Sequence, residues 1–252
     1  MTNILMVGCN GKMGQVITRL TGESDDIRIV AGYDMNTSSQ NPYPVYNEFK
    51  DIKEKIDVII DFSHPSALAN VLEFAMERRI PLVEATTGLS QAQISELHNA
   101  SSRIPVFFSA NMSLGVNLLI DLVKKAARIL EKNFDIEIIE KHHNQKIDAP
   151  SGTALAIADA LNSALSEQQE LVYDRHSRRK KRSKKEIGIH AVRGGTIVGE
   201  HSVIFAGNDE IIEINHMAMS KEIFGVGAMR AAKFLSNKAP GLYNMNDLIE
   251  AG

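Results

Sequence analysis

Between Glu140 and Leu155 the chain reads EKHHNQKIDAPSGTAL, which sets His142, His143 and Lys146 directly ahead of Ser151, Gly152 and Thr153. Three readings fit such a set: metal ligation, proton transfer beside a bound anion, or a solvated polar loop. Against metal, adjacent side chains on an extended segment point to opposite faces, and no further cluster of His or Cys completes a coordination shell. Against the solvated loop stands the sequence that follows. Pro150 precedes a helix start with Ser151 as its N-cap, and the Gly152 and Thr153 amides of such a first turn are expected to aim outward, beyond the helix's own hydrogen bonds. Such a helix start suits a carboxylate or phosphate, here with a lysine and two histidines beside it.

A second constellation opens the chain. VGCNGKMGQ follows an apolar strand and begins a helix, the context in which backbone amides face a pyrophosphate and glycines admit its close approach. The spacing of Gly8, Gly11 and Gly14 departs from the usual dinucleotide fingerprint, because Asn10 stands at its second glycine position. Asp34, roughly twenty residues after Gly14, stands where an acid accepts hydrogen bonds from an adenosine ribose. The same carboxylate repels a 2'-phosphate and Met35 offers no guanidinium in compensation, so the pair favours NADH, with NADPH also to be considered; Lys12 and His64 are the cations that offset part of this.

The elements around these residues are of two kinds. In the N-terminal part short β-branched runs (NILMV, IRIVAGYD, IDVIIDF, IPLVEATT, IPVFFSA) alternate with segments of helical period, which predicts a parallel sheet with helices on both faces. Its strands end in DFSHP, EATTG and SANMS, along the carboxyl edge where such sheets bind ligands. After Asn111 come a helix with a wide apolar stripe, the alternating strand FDIEIIEKHH, a second helix, and three strand-like runs from Ile187 expected to neighbour one another in an antiparallel sheet. The expected class is α/β: a Rossmann-type parallel-sheet domain at 1–112 and 218–252, and a smaller α+β domain with a mixed or antiparallel sheet at 113–217. The last helix, KEIFGVGAMRAAKFLS, is assigned back to the first domain.

A nucleotide turn in one domain and a cationic helix start in the other describe an acidic substrate held beside a hydride donor. Reduction of a C=N or C=C bond by hydride also needs a proton, which histidine or lysine supplies near neutral pH. Here the chain resembles the 4-hydroxy-tetrahydrodipicolinate reductase (dihydrodipicolinate reductase) family. The family pattern E-x-H-H-x-x-K-x-D-x-P-S-G-T-A is met at Glu140, with one residue of slack, and at His142, His143, Lys146, Asp148, Pro150, Ser151, Gly152, Thr153 and Ala154. VGCNGKMGQ, DFSHP, ATTG, SANMSLGVN and IGIHAVRGGTIVGEH are also family-like, so the likeness covers nearly the whole chain.

The resemblance implies NAD(P)H-dependent reduction of 4-hydroxy-tetrahydrodipicolinate to tetrahydrodipicolinate in lysine and diaminopimelate biosynthesis, by a homotetramer that closes over its substrate. It implies His142 and Lys146 as the proton-handling pair, and His143, Lys146, Ser151, Gly152 and Thr153 as the groups that hold the substrate's carboxylates. On the cofactor side it implies Gly8, Cys9, Asn10, Gly11, Lys12, Met13, Asp34, Phe62, Ala85, Thr86, Thr87, Ser109, Ala110, Asn111 and Met112. The chain departs from the family at Ala85, often glycine, and at Lys12 and His64, where arginine is found.

Other features set bounds. The run RHSRRKKRSKK at 175–185 is basic, but no aromatic residue interleaves it, so it is read as a solvated loop or subunit contact and not as a nucleic-acid site. Arg175 and Arg193 are the arginines considered for the dicarboxylate, and Glu137 and Glu140 are read as the solvated or interface face of their strand. A single cysteine, Cys9, precludes an internal disulfide, and no apolar run reaches membrane-spanning length, so a cytoplasmic protein without a membrane partner is expected.

Overall fold

The computed structural model describes residues 1–251, in two compact units: Met1–Leu114 with the chain from Glu222 on, and Gly115–Lys221. Gly252, assigned above to the first domain, lies outside the described residues.

Unit 1 is built on a seven-stranded sheet. In chain order its strands are β1 (Thr2–Val7), β2 (Ile27–Tyr33), β3 (Val45–Tyr46), β4 (Val58–Asp61), β5 (Leu82–Glu84), β6 (Pro105–Phe108) and, after the second unit, β12 (Gly241–Tyr243). They lie in the order β12-β6-β5-β4-β1-β2-β3, and every pairing is parallel. Parallel strands need crossovers, which α1 (Lys12–Gly22), α2 (Leu68–Arg78) and α3 (Gln91–Ala100) provide. Because helices cover both faces, the central strands place apolar residues on both. Leu5, Val7, Ile59 and Leu82 pack into one core with Leu68, Leu72 and Leu97, while Ile4, Met6, Ile60 and Val83 pack into the other.

The helix α6 (Glu222–Leu235) belongs to that second core through Ala228, Ala231, Ala232 and Leu235, and α7 (Met245–Glu250) adds Met245. A side chain on Gly227 would meet the Met112 carbonyl oxygen at 1.7 Å, so the helix approaches that loop backbone to backbone. The assignment of the last helix to the first unit thus rests on its small residues as well as its apolar ones.

Unit 2 contains a five-stranded mixed sheet in the order β11-β10-β7-β9-β8. Its strands are β7 (Asp135–His142), β8 (Glu170–Val172), β9 (Glu186–Arg193), β10 (Gly199–Ala206) and β11 (Ile211–Ala218). The helices α4 (Leu114–Leu130) and α5 (Gly152–Ala164) contribute Leu119, Val123, Ile157 and Leu161 to a core with Ile136, Ile138, Val203 and Phe205. One expectation is corrected here. The last three strands are not mutual neighbours: β7 lies between β9 and β10, parallel to the first and antiparallel to the second. β7 alternates strictly between buried and half-buried residues along its whole length, and such a strand gains most at the centre, where both edges are paired.

Candidate functional site

The first group of residues lies along one edge of unit 1. Since the sheet is all parallel, the segments after β1, β2, β4, β5 and β6 emerge at its carboxyl edge, and these carry Gly8 to Met13, Asp34, Phe62, Ala85 to Thr87 and Ser109 to Met112. Gly8 has φ +76°, and a Cβ there would sit 2.7 Å from the Phe62 carbonyl oxygen; at Gly14 it would sit 2.3 Å from that of Gly8. Both glycines are therefore fixed by close backbone packing.

Asn10 replaces the expected glycine because its side chain is needed: it donates to the Asn36 carbonyl and accepts from Asn41 Nδ2 at 2.8 Å. The Asp34 carboxylate accepts the amides of Asn10 and Asn36, each at 3.0 Å, and so clamps the turn from the end of β2. Lys12 and Met35 are exposed. The Cys9 side chain is wholly buried against Gly32, and burial, with Asp34 nearby, pushes its thiol up to about 12. Cys9 can thus serve a ligand only through its backbone.

The second group lies at the end of β7 in unit 2. Extending the buried alternation of Ile136 and Ile138 places Glu140 and His142 on the helix-covered face, and Glu140 is 0% exposed. This corrects its reading as a solvated residue. Its carboxylate accepts His142 Nδ1 at 2.7 Å, both Arg193 Nη atoms at 2.7 Å and the Ser151 amide at 2.9 Å. Burial alone would raise Glu140; the Arg193 guanidinium, the His142 ring and the Ser151 amide outweigh it and hold the carboxyl below its usual range. With Nδ1 committed to a carboxylate, the proton that His142 can exchange is the one on Nε2.

Ser151 caps α5 as expected, its hydroxyl accepting the Ala154 amide at 3.1 Å. It is 2% exposed, and the same oxygen bonds His201 Nε2 at 3.0 Å, so Ser151 supports the helix start from beneath. Burial and the neighbouring His142 ring depress His201 to about 4, which leaves it neutral. Lys146 Nζ donates to Asp148 Oδ1 at 2.8 Å, and the Lys146 ammonium, helped by the Gly152 amide, keeps Asp148 below the usual carboxylate range. A carboxylate of the chain itself thus bridges the lysine and the helix start that the sequence assigns to an acidic ligand.

The two arginines considered for a dicarboxylate are engaged elsewhere. Arg193 closes onto Glu140, and its Nη2 also donates to the Asp148 carbonyl at 2.6 Å, tying the Lys146 loop to β9. Arg175 bonds Glu137 and Glu186 at 2.7 and 2.5 Å, and Arg182 also bonds Glu137 on the opposite face of β7. Lys184 and Lys185 pair with Asp135 and Glu167, so acids of the same unit neutralise much of the basic run. Among the described residues no group of three or more His, Cys, Asp or Glu could hold a metal ion, and no helix is long and apolar enough to cross a membrane.

Comparison with known proteins accounts for both units. Residues 2–112 match the family described as dihydrodipicolinate reductase, N-terminus, and residues 115–249 match dihydrodipicolinate reductase, C-terminus. The 4-hydroxy-tetrahydrodipicolinate reductase of Caldanaerobacter subterraneus subsp. tengcongensis is 56% identical over 252 residues, covering 100% of both chains. That of Clostridium tetani is 47% identical over 251 residues, covering 100% of this chain and 98% of its own. A dipicolinate-bound dihydrodipicolinate reductase from a Paenisporosarcina species shares the fold with a TM-score of 0.83 at 22% identity, over 98% of this chain and 99% of that one.

Proposed function

The chain belongs to the dihydrodipicolinate reductase family, and from this we infer how its residues divide the reaction. It is an NAD(P)H-dependent oxidoreductase that reduces 4-hydroxy-tetrahydrodipicolinate to tetrahydrodipicolinate, a step of lysine and diaminopimelate biosynthesis.

Unit 1 binds the dinucleotide and unit 2 binds the substrate and supports oligomerisation. The carboxyl edge of unit 1 fits the cofactor: the Gly8 turn admits a pyrophosphate where any side chain would collide with backbone, and Asp34 ends β2 where a ribose hydroxyl would donate. Gly8 to Met13, Phe62, Ala85 to Thr87 and Ser109 to Met112 complete that edge. The bound cofactor supplies the hydride. Asp34 and the exposed Met35 favour NADH over NADPH.

In unit 2 the substrate's carboxylates replace Asp148 at Lys146 and at the Gly152 amide and extend to Thr153, with His143 at the rim and Ser151 fixing the helix start. His142, oriented by Glu140, delivers the proton through Nε2, and Lys146 offsets the substrate's charge as a second donor. The precursor's hydroxyl leaves as water with a hydrogen of the adjacent ring carbon, before or together with the addition of hydride to the ring, and the proton meets the negative centre that the hydride creates. The observation that carries this division of labour is the buried Glu140, bonded at once to His142, Arg193 and the capping Ser151.

The direct test follows loss of NADH absorbance while the substrate is generated in place by the preceding synthase. Lys146→Ala is expected to lower kcat by about 100-fold or more and to leave the NADH dissociation constant unchanged, since Lys146 lies in the other unit. Wild-type turnover in that variant would remove Lys146 from the site.

A homotetramer is the proposed assembly. Its support is the exposed apolar surface of the edge strand β11 and the turn after it, where Ile211, Met217 and Met219 are 68%, 58% and 81% exposed. Light scattering on the purified chain measures it. A cytoplasmic location, with no nucleic-acid partner, is supported by the single buried cysteine and by the neutralised basic run.

A further inference from the structure

Two acids that neither site uses lie together inside unit 1. Asp61 and Glu84 are register partners at the last positions of β4 and β5, and they are 1% and 0% exposed. Following the alternation of each strand, both side chains stand on the sheet face that carries Ile59 and Leu82, which α2 and α3 cover with Leu68, Leu72 and Leu97. No lysine, arginine or histidine among the described residues pairs with either acid. The charged residues of the covering elements turn away: Glu73, Glu77 and Arg78 on α2 and Glu96 and His98 on α3 are exposed, as is His64, which bonds Ser66. The register neighbours on β1 and β6 are Val7 and Phe108, both apolar.

Each acid spends one oxygen on the segment that follows it. Asp61 Oδ1 accepts the Ser63 amide at 2.8 Å and Glu84 Oε1 accepts the Thr86 amide at 2.8 Å, while the Ala85 amide bonds the Asp61 carbonyl at 3.0 Å. The two carboxyls lie within hydrogen-bonding range of each other and of the Thr86 hydroxyl, with the Ser63 hydroxyl beside Asp61, and the second Glu84 oxygen and both hydroxyls are buried with no partner outside this cluster. Two ionised carboxylates cannot share such a setting: burial first, and then the Asp61 charge, push Glu84 well above the carboxylate range. Asp61 is pushed up as well, by its burial, so the pair holds a proton more tightly than a free carboxylate does.

We propose that Asp61 and Glu84 share a single proton and act as the positioning pair that holds Phe62–Ser63 and Ala85–Thr86 in place for the dinucleotide. The inference rests on the reading of those segments as cofactor-binding. Their backbones hang from the two carboxyls and from the backbone bond between them, so removal of the shared proton sets like charges against each other under both segments at once. Neither acid touches the cofactor in this account; each acts through the loop that it anchors.

The test compares NADH binding by calorimetry for the wild type, Glu84→Gln and Glu84→Ala across neutral to alkaline pH, alongside infrared spectra of the unliganded proteins. The glutamine amide reproduces the protonated acid, accepting from Thr86 and donating toward Asp61. Wild-type affinity is expected to fall by about tenfold as the pair loses its proton, Glu84→Ala to be weaker by about tenfold already near neutral pH, and Glu84→Gln to restore binding without the alkaline loss. The carbonyl band of a protonated carboxyl is expected in the wild type near neutral pH and not in Glu84→Gln. A Glu84→Gln variant that follows the wild type down the alkaline limb, or a wild type without that infrared band, overturns the pairing. A wild type that shows the band yet binds neither NADH nor NADPH instead overturns the cofactor reading.

Discussion

Glu140→Gln separates the proton-transfer role proposed for His142 from that proposed for Lys146. The change keeps the size of a side chain that is 0% exposed but replaces one acceptor oxygen by an NH2 group. In the wild type the carboxylate meets only donors: His142 Nδ1, two nitrogens of Arg193 and the Ser151 amide. The oxygen on the Ser151 side has a ready replacement in the glutamine carbonyl. The NH2 group then faces His142 Nδ1 and Arg193 Nη1, which also bonds the Val192 carbonyl at 2.8 Å and so keeps an acceptor.

His142 can meet an NH2 group only by presenting the Nδ1 lone pair, which moves its proton to Nε2 and inverts the tautomer. Protonating the ring would then oppose two donors. A hydrogen bond to a charged group contributes about 1.5 to 3 kcal/mol, and a donor facing a donor adds about 1 kcal/mol or more. The protonated ring therefore becomes costlier by roughly 2.5 to 4 kcal/mol, and kcat is expected to fall about 70- to 1000-fold.

The NADH dissociation constant is expected to stay at its wild-type value, since the change lies in unit 2. Stability should fall by only about 2 kcal/mol, because Arg193 keeps the glutamine oxygen, the Val192 carbonyl and the Asp148 carbonyl and is 20% exposed. The assay pairs steady-state NADH oxidation with nitrogen NMR of the labelled histidine ring, which reports the tautomer independently of turnover. A variant whose His142 tautomer is inverted but whose kcat stays within about twofold of wild type would refute the reasoning and assign the proton to Lys146.

Three further outcomes follow from the geometry. Asp148→Asn removes the internal carboxylate from Lys146 and the Gly152 amide, so affinity for pyridine-2,6-dicarboxylate should rise by about threefold or more in calorimetry; weaker binding would show that Asp148 orients the lysine and does not compete with the ligand. His201, depressed from 6.5 to about 4, binds its proton in the unfolded chain before the folded one, so stability rises with pH across that interval by at most about 3 kcal/mol. Melting curves of His201→Gln should lose that component, and an unchanged slope would contradict it. Asp34→Ala should raise the ratio of kcat/KM with NADPH to that with NADH, from a wild type in which NADH is at least as efficient; a wild type far more efficient with NADPH would overturn the cofactor preference.

What could be read from residue order divides along the range of the interactions. The parallel sheet was legible because the central strands of unit 1 carry apolar residues on both faces and the connecting segments keep helical period, both local signals. The Ser151 cap of α5 was legible for the same reason, since an N-cap and the amides after it are adjacent in sequence. The neighbours of β7 were not, because β9 and β10 follow each other in the chain and only their packing on α4 and α5 places β7 between them.

Glu140 is the instructive miss. The signal was present: Ile136 and Ile138 set the phase of the buried face, and two further steps land on Glu140 and His142. It was obscured by Ile139, an apolar residue on the other face, and by the rule that an acid on an alternating strand faces water. A carboxylate escapes that rule only when donors surround it, and those donors come from positions far apart in the chain: Arg193 from β9 and Ser151 from the start of α5. Asp61 and Glu84 were hidden differently: their donors are local, but their burial is imposed by helices that follow them and their neighbour across the sheet is another acid. In both cases the strand pattern gives the face and the rest of the fold decides whether an acid can stay there, so a buried acid at a strand end is where the sequence alone says least about charge and the site depends on it most.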